Sequence, residues 1–216
     1  MGTEVSLCCG SSNNSSSAKM EGTQVQQQQQ QLQPTPRQHS SAITAAISKL
    51  KELGINFLAL DFDQTILDIH TGGRWKESLE ELLPHVRPVF VQLMQAALEY
   101  DIQVAIVTFS GQTKMIREVL EHTVGLPGAH QIPIRGGDRS WRYQGEGSLD
   151  GKQAHMASAV EELETRQPET KITKATTLLV DDDRKNIRFA LYDGTRAIWF
   201  NPDKPHKLLQ DILKLV

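Results

Sequence analysis

The feature that most constrains this chain is an apolar run that ends in two carboxylates. Five of the six residues from 57 to 62 are apolar, and Asp61 and Asp63 stand at the end of the run. Such a run is typical of a strand buried on both faces, as in a parallel sheet. The ligand crevice of an open α/β sheet lies at the carboxyl ends of its strands. The run therefore predicts that both carboxylates lie where this kind of fold binds its ligands.

The spacing of Asp61 and Asp63 creates an electrostatic conflict. The two carboxylates repel each other, and burial adds to the free-energy cost of ionising both. Either a bound cation or a division of roles between a nucleophile and an acid would relieve the conflict.

Apolar segments of strand length alternate with helical patterns from residue 41 onward. Strands are expected near 57–61, 103–108, 131–135, 177–180 and 196–200, and helices near 41–53, 88–100, 111–122 and 152–166 and from 205. This alternation predicts an α/β fold with a doubly wound parallel sheet. The strands that end at Asp61, Thr108 and Asp181 would then present polar side chains at one edge of the sheet.

Two further positions indicate an anion site. A turn containing Ser110 follows Thr108, and hydroxyls beside the N–H groups of a helix N-terminus suit a phosphate, although a simple turn is the alternative. Lys152 begins the helix predicted over 152–166, where a cation is unfavourable for the helix dipole. A bound anion would explain its presence there.

Three consecutive carboxylates, Asp181, Asp182 and Asp183, follow the strand over 177–180. Such a run is hard to explain as a solvated surface when it comes directly after a buried strand. Mg²⁺ takes oxygen ligands, usually one or two carboxylates with water and substrate phosphate. The run therefore indicates a Mg²⁺ site.

These residues resemble the motifs of the haloacid dehalogenase superfamily of phosphotransferases. The segment 61–65 matches the first motif, DxDxT after an apolar strand, and Thr108 matches the second. Lys152 matches the third motif and the aspartate pair 181–182 the fourth. All four occur in order, each at the expected strand or helix end, and the resemblance covers about residues 41–216.

The resemblance implies a role for each motif residue. Asp61 would be the nucleophile that forms an aspartyl-phosphate, and Asp63 the general acid and base. Thr108 and Lys152 would bind the oxygens of the transferred phosphoryl group.

The resemblance also implies a Mg²⁺ cofactor. Its ligands would be Asp61, Asp181, Asp182 and the backbone carbonyl of Asp63, and the metal would screen Asp61 from the phosphate that it attacks. Asp183 receives no role.

The spacing of the motifs leaves no room for a cap domain. A turn and a helix fill the interval from Asp61 to Thr108, and a helix, a short strand and a Gly-rich loop fill the interval from Thr108 to Lys152. Capless members of the superfamily resemble the magnesium-dependent and CTD-type protein phosphatases, whose open sites admit a phosphoprotein side chain or another bulky ligand. The DDxxxN pattern that Asn186 completes is most similar to the magnesium-dependent branch.

Two loops beside the motifs leave alternatives open. The segment Arg74, Trp75 and Lys76 either contacts an anionic substrate or forms a solvated turn in which Trp75 is a packing anchor. The Gly-rich loop over 136–151, which contains Trp141, is either a specificity element or a surface hairpin.

The first six residues fit the pattern for N-myristoylation of Gly2, and Cys8 and Cys9 follow where S-acylation is expected. A chance match is the alternative. One myristoyl chain binds a membrane only marginally, so stable anchoring needs a second signal. Acidic and basic residues cancel over residues 1–40, so palmitoylated cysteines would have to supply that signal.

Residues 10–38 are mostly Ser, Asn, Gln, Thr and Pro, with an unbroken glutamine tract at 26–31. This composition predicts a disordered tail over 1–40. The resemblance implies that the residues that follow, 41–216, form a phosphatase domain. The net charge of −3 gives no argument for nucleic-acid binding. The domain has no cysteine, which favours a reducing compartment.

Together these features predict a Mg²⁺-dependent phosphomonoester hydrolase, tethered to the cytoplasmic face of a membrane, that acts on a phosphoprotein or another bulky substrate. One alternative is a phosphotransferase whose acceptor is not water. The other is a catalytically silent membrane-tethered scaffold, which predicts the loss of a motif residue, and none is missing.

Overall fold

The computed structural model describes residues 1–2, 39–142 and 150–216. The chain divides into two units, Met1–Gln38 and His39–Val216. Most of the predicted tail, including Cys8, Cys9 and the glutamine tract, lies outside the described residues. The predictions for the tail therefore remain predictions.

Five parallel strands of the second unit form one sheet in the order β3-β2-β1-β4-β5. The strands are β1 (Phe57–Leu60), β2 (Gln103–Val107), β3 (Ile134–Arg135), β4 (Thr177–Asp181) and β5 (Arg196–Trp199). Because the order runs outward from β1 in both directions, the sheet is doubly wound, as the alternation of strands and helices predicts. No large cap domain is inserted within residues 39–142 and 150–216.

Helices cover both faces of the sheet. They are α1 (Ser41–Glu52), α2 (Leu79–Leu82), α3 (Pro88–Glu99), α4 (Thr113–Thr123), α5 (Gly128–Gln131), α6 (Gln153–Arg166), α7 (Arg184–Tyr192) and α8 (Leu208–Leu213). Short 3₁₀ turns lie at Leu83–His85, Lys174–Thr176 and Pro205–Lys207. The ends of α1 and α3 follow from their sequences, since Ser40 caps α1 and Pro88 begins α3.

The core consists of two apolar layers separated by the sheet. Leu58 and Leu60 of β1 enter the layer formed with α1, α3, α4 and α8. Phe57 and Ala59 enter the layer formed with α6 and α7. Successive side chains of a strand point to opposite faces, so β1 needs a continuous apolar sequence to fill both layers.

The register of the sheet brings the polar strand ends together. Leu60 lies between Ile106 of β2 and Val180 of β4. One residue further along, the backbone N–H of Asp61 donates to the carbonyl of Val180 over 3.0 Å. Asp61 and Asp181 therefore leave neighbouring strands at the same edge.

Some local structure was not predicted from the sequence. The chain after Asp61 forms a kinked turn over Phe62–Ile66, in which Gln64 has a φ of 56°. The four-residue helices α2 and α5 are too short to leave a periodic pattern. Because α5 runs to Gln131, the strand predicted over 131–135 is shortened to Ile134–Arg135.

Two glycines after β3 let two backbones touch beside the sheet edge. The N–H of Gly137 donates to the carbonyl of Ser110 over 2.8 Å. A Cβ on Gly136 would lie 2.5 Å from the oxygen of Ser110, and a Cβ on Gly137 would lie 2.5 Å from the oxygen of Phe109. Only residues without a side chain allow this approach.

We expect Gly137→Ala to lower the free energy of unfolding by about 1–3 kcal/mol, because the added methyl group meets a backbone oxygen that cannot rotate away. Urea denaturation measures the effect. Gly111→Ala is the control: its Cβ would lie 3.8 Å from Gly137, an ordinary contact, so its stability should change little. Equal stability of the two variants would contradict the prediction.

Candidate active site

The centre of the candidate site is a buried ion pair between Asp61 and Lys152. Asp61 follows β1 and is 6% exposed, and Lys152 immediately precedes α6 and is 1% exposed. The Nζ atom of Lys152 donates to Oδ1 of Asp61 over 2.7 Å and to the carbonyl of Val107 over 2.8 Å. These two acceptors hold the ammonium group, so its position needs no bound anion.

Asp181 and Asp182 lie beside this pair at the end of β4. Carboxylate oxygens of Asp61, Asp181 and Asp182 lie within 4.8 Å of one another. Nδ2 of Asn186 donates to both oxygens of Asp181, over 3.1 and 3.0 Å, which fixes the orientation of this fully buried carboxylate. Asn186 lies in the first turn of α7, so the DDxxxN spacing places its amide against the carboxylate of Asp181.

The negative charge of the three carboxylates exceeds the single positive charge of Lys152 beside them. Burial raises the pKa of Asp61, and Lys152 opposes this increase. Burial and the neighbouring Asp61 raise the pKa of Asp181 to about 7, and the same two causes raise the pKa of Asp182. A hard divalent cation prefers such a set of carboxylate oxygens and would relieve their repulsion. The donor set therefore fits Mg²⁺.

Asp63 lines the same cleft but stands apart from the three-carboxylate cluster. Its Oδ1 accepts from the N–H of Thr71 over 3.2 Å and from the Oγ1 hydroxyl of Thr71 over 2.9 Å. Nδ1 of His70 lies 3.7 Å from Oδ2 of Asp63 and accepts from the N–H of Gly72 over 2.9 Å. The turn after Asp63 therefore folds back and holds its carboxylate by a hydroxyl and an amide.

Thr71 is a site residue that the sequence analysis did not identify. The available signal was the Gly72-Gly73 pair, which marks a turn directly after the first motif. In the same segment, Trp75 packs against the core and its Nε1 donates to the carbonyl of Ser78 over 3.0 Å. This packing supports the interpretation of Trp75 as an anchor.

Thr108 and Ser110 form the wall of the cleft after β2, and both are buried. Oγ1 of Thr108 accepts from the N–H of Ser110 over 3.1 Å, and Oγ of Ser110 accepts from the N–H of Gln112 over 3.3 Å. The two hydroxyls stabilise a tight turn that enters the cleft. The turn and the anion-site interpretations are therefore compatible.

The cleft has a volume of about 720 Å³. The structure places at its surface all six residues that the sequence analysis selected in the domain: Asp61, Asp63, Thr108, Lys152, Asp181 and Asp182. Gly2, Cys8 and Cys9 belong to the other unit of the chain.

An aromatic stack, of which Phe109 lines the cleft, lies beside Lys152 and was not predicted. Nζ of Lys152 lies 4.2 Å from the ring centroid of Phe109. The rings of Phe109 and Trp141 pack against His155 at centroid distances of 5.2 and 4.6 Å. Nε1 of Trp141 donates to the carbonyl of Gly136 over 2.8 Å, which connects the beginning of the Gly-rich loop to this stack.

Comparisons with known proteins identify no family for this chain. No family model matches it, and no curated protein does. One solved structure, described as an uncharacterized protein from Corynebacterium glutamicum, is similar over 75% of this chain and 97% of its own, with 16% identity and a TM-score of 0.44. A likeness of this size carries no functional argument. Among the described residues, no helix is both long enough and apolar enough to cross a membrane.

The pH dependence of stability should report on His155. Burial, and secondarily Lys152, lower the pKa of His155 from 6.5 to about 4, and its Nδ1 has no hydrogen-bond partner among the described residues. Between these values the unfolded chain binds one more proton than the folded chain, so stability falls as the pH is lowered. From pH 7 to pH 5 this group alone should lower the free energy of unfolding by about 2 kcal/mol.

We expect His155→Gln to lose this part of the pH dependence in urea denaturation at the two pH values. His206→Gln, at an exposed histidine, is the matched control and should keep the native dependence. A His155→Gln variant with the native pH dependence would show that His155 is not held neutral.

Proposed function

We propose that this protein is a Mg²⁺-dependent phosphomonoester hydrolase that acts through an aspartyl-phosphate at Asp61. The observation that carries the proposal is the convergence of one buried ammonium group and three carboxylates at the sheet edge. Nζ of Lys152 lies 2.7 Å from Asp61, whose carboxylate lies within 4.8 Å of those of Asp181 and Asp182. The resemblance of these residues to the haloacid dehalogenase motifs adds to the proposal.

Each residue of the cluster has a separate role in this proposal. Asp61 attacks phosphorus while Asp63 donates a proton to the leaving oxygen, and Asp63 then takes a proton from the water that hydrolyses the aspartyl-phosphate. Thr71 supports this role, because its two donors hold the carboxylate of Asp63 in place. Mg²⁺ would supply Lewis-acid screening of the charges on Asp61 and the phosphate.

Lys152 has hydrogen-bonding capacity left for substrate. An ammonium group has three N–H donors, and the bonds to Asp61 and Val107 use two of them. We assign the third N–H of Lys152 to an oxygen of the transferring phosphoryl group. The hydroxyl of Thr108 would bind the same phosphoryl group. Donors already fixed before binding stabilise the charge of the transition state without reorganisation.

The described residues include no large cap domain, and this affects the size of the substrates that the cleft can admit. A cleft without a lid can receive the end of a phosphorylated side chain or another bulky phosphomonoester. We therefore include phosphoproteins among the proposed substrates.

The full-length protein should hydrolyse p-nitrophenyl phosphate in the presence of Mg²⁺ and lose this activity with a chelator. Asp61→Asn should lower kcat/KM by at least about a thousandfold, because the nucleophile is removed. A continuous absorbance assay measures both effects.

Asp68→Asn is the matched control, since Asp68 has the same charge but binds His85 outside the cleft, and its activity should stay native. Activity that survives Asp61→Asn would refute the assignment of the nucleophile. Phosphate transfer to an added alcohol without hydrolysis would favour a transferase, and inactivity on a broad ester panel would favour a scaffold.

We also propose that acylation of Gly2, with Cys8 and Cys9 as further acylation sites, tethers the protein to the cytoplasmic face of a membrane. The support is the sequence pattern and the need for two lipid signals in stable anchoring.

In cells that contain an N-myristoyltransferase, Gly2→Ala should move the protein from the membrane fraction to the soluble fraction. Thr3→Ala, at the adjacent position, is the control and should leave the distribution unchanged. Immunoblotting of separated fractions provides the measurement, and a native distribution for Gly2→Ala would exclude this tether.

A further inference from the structure

A basic groove lies beside the candidate active site. It has a volume of about 470 Å³ and is lined by Arg184, Lys185, Ile187, Arg188 and Trp199. Arg184 and Trp199 also line the active-site cleft, so the two depressions adjoin. A ligand in the cleft that extends past Arg184 would enter the basic groove.

The three cations of the groove, Arg184, Lys185 and Arg188, are exposed, and none of them forms an ion pair in the parts of the chain that the structure describes. The acidic residues that flank α7 are otherwise engaged: Asp183, which precedes the helix, accepts from the backbone N–H of Lys185 over 2.7 Å, and Asp193, which follows it, pairs with Lys174 over 2.7 Å.

Two cations lie at the N-terminus of α7. Arg184 and Lys185 are the first two residues of the helix, and the carboxylate of the N-cap residue Asp183 accepts from the N–H of Lys185. The positive end of the helix dipole lies there, so Asp183 offsets part of the cost of these cations and a further anion would lower the free energy again. Arg188 lies one turn further, about 6 Å along the axis.

The guanidinium group of Arg184 is already oriented. Its Cζ atom lies 3.6 Å from the ring centroid of Trp199, and Nε1 of Trp199 donates to the backbone carbonyl of Asp182 over 2.8 Å. A stacked guanidinium keeps its N–H donors at the edge of the plane, where they can bind a phosphate or carboxylate in a bidentate manner. The hydrogen bond from Trp199 to Asp182 thus connects the groove to the carboxylate cluster.

We infer that the basic groove is a second anion subsite, and that the substrate is a phosphomonoester with a second anionic group, either a phosphate or a carboxylate. This inference rests on the proposed function. Asp61 receives the phosphate that is cleaved, while Arg184, Lys185 and Arg188 bind the second anion. The groove would select substrates by charge at a distance from the bond that breaks.

The test uses a series of flexible diol bisphosphates, from ethanediol to octanediol, each compared with the monophosphate of the same diol. With the full-length protein and Mg²⁺, kcat/KM for the best-fitting bisphosphate should exceed that of its monophosphate by about tenfold or more, beyond the twofold statistical factor. Phosphoalkyl carboxylates of matching length distinguish a carboxylate subsite from a phosphate subsite.

The double variant Lys185→Gln/Arg188→Gln should reduce this preference by about threefold or more, because Arg184 is the one cation of the three that remains. Arg184 is retained because its stacking on Trp199 contributes to packing. The charge-matched control is Lys204→Gln/Lys207→Gln, at two exposed lysines that do not line the groove, and it should keep the preference. A native preference of no more than twofold at every length, or an equal loss in the control, would overturn the inference.

A binding experiment separates failure of the subsite from failure of the proposed function. Calorimetry with Asp61→Asn should show that hexanediol bisphosphate binds about tenfold more tightly than the monophosphate, and that the double substitution reduces the difference by about threefold or more. Hydrolysis without preferential binding would refute the subsite alone. Preferential binding without hydrolysis of any ester would refute the proposed function and leave the anion subsite standing.

Discussion

The buried ion pair of Lys152 with Asp61 is the interaction on which the candidate site depends. Both groups are almost completely removed from water, which costs several kcal/mol for each ion unless each finds partners. They are 91 residues apart in sequence, and they meet because α6 and β1 pack against the same layer of the core. Loss of either partner would leave an uncompensated buried charge, so the pair links the chemistry of the site to the packing of one face of the sheet.

Two further carboxylates lie beside this pair: an oxygen of Asp181 is 3.9 Å from the ammonium group of Lys152, and Asp182 belongs to the same cluster of carboxylates. A protein selected only for stability would gain by replacing such groups with apolar side chains. Instead, Asn186 and Thr65 hold two of the carboxylates by hydrogen bonds. An organised cluster whose pKa values are raised by burial and mutual repulsion is typical of a site that a ligand completes.

Two groups that each combine a cation with an aromatic ring lie next to this acidic centre. The Phe109, His155 and Trp141 stack packs beside Lys152, and the basic groove begins where Arg184 stacks on Trp199. Under the proposed function, the carboxylates would hold the metal, Lys152 and Thr108 would bind the phosphoryl group, and the basic groove would bind the second charge of a phosphomonoester.

The sequence by itself determined the class of fold and the six charged or hydroxylic residues at the sheet edge, because apolar runs and strand ends are local patterns that follow from the covalent order. Tertiary structure alone decided that Lys152 pairs with Asp61, that Thr71 holds Asp63, and that Trp141 reaches His155. Such contacts depend on how separate elements pack, and no local spacing encodes them. The basic groove has the same origin, since α7 and β5 supply its residues from two segments that meet only in the folded chain.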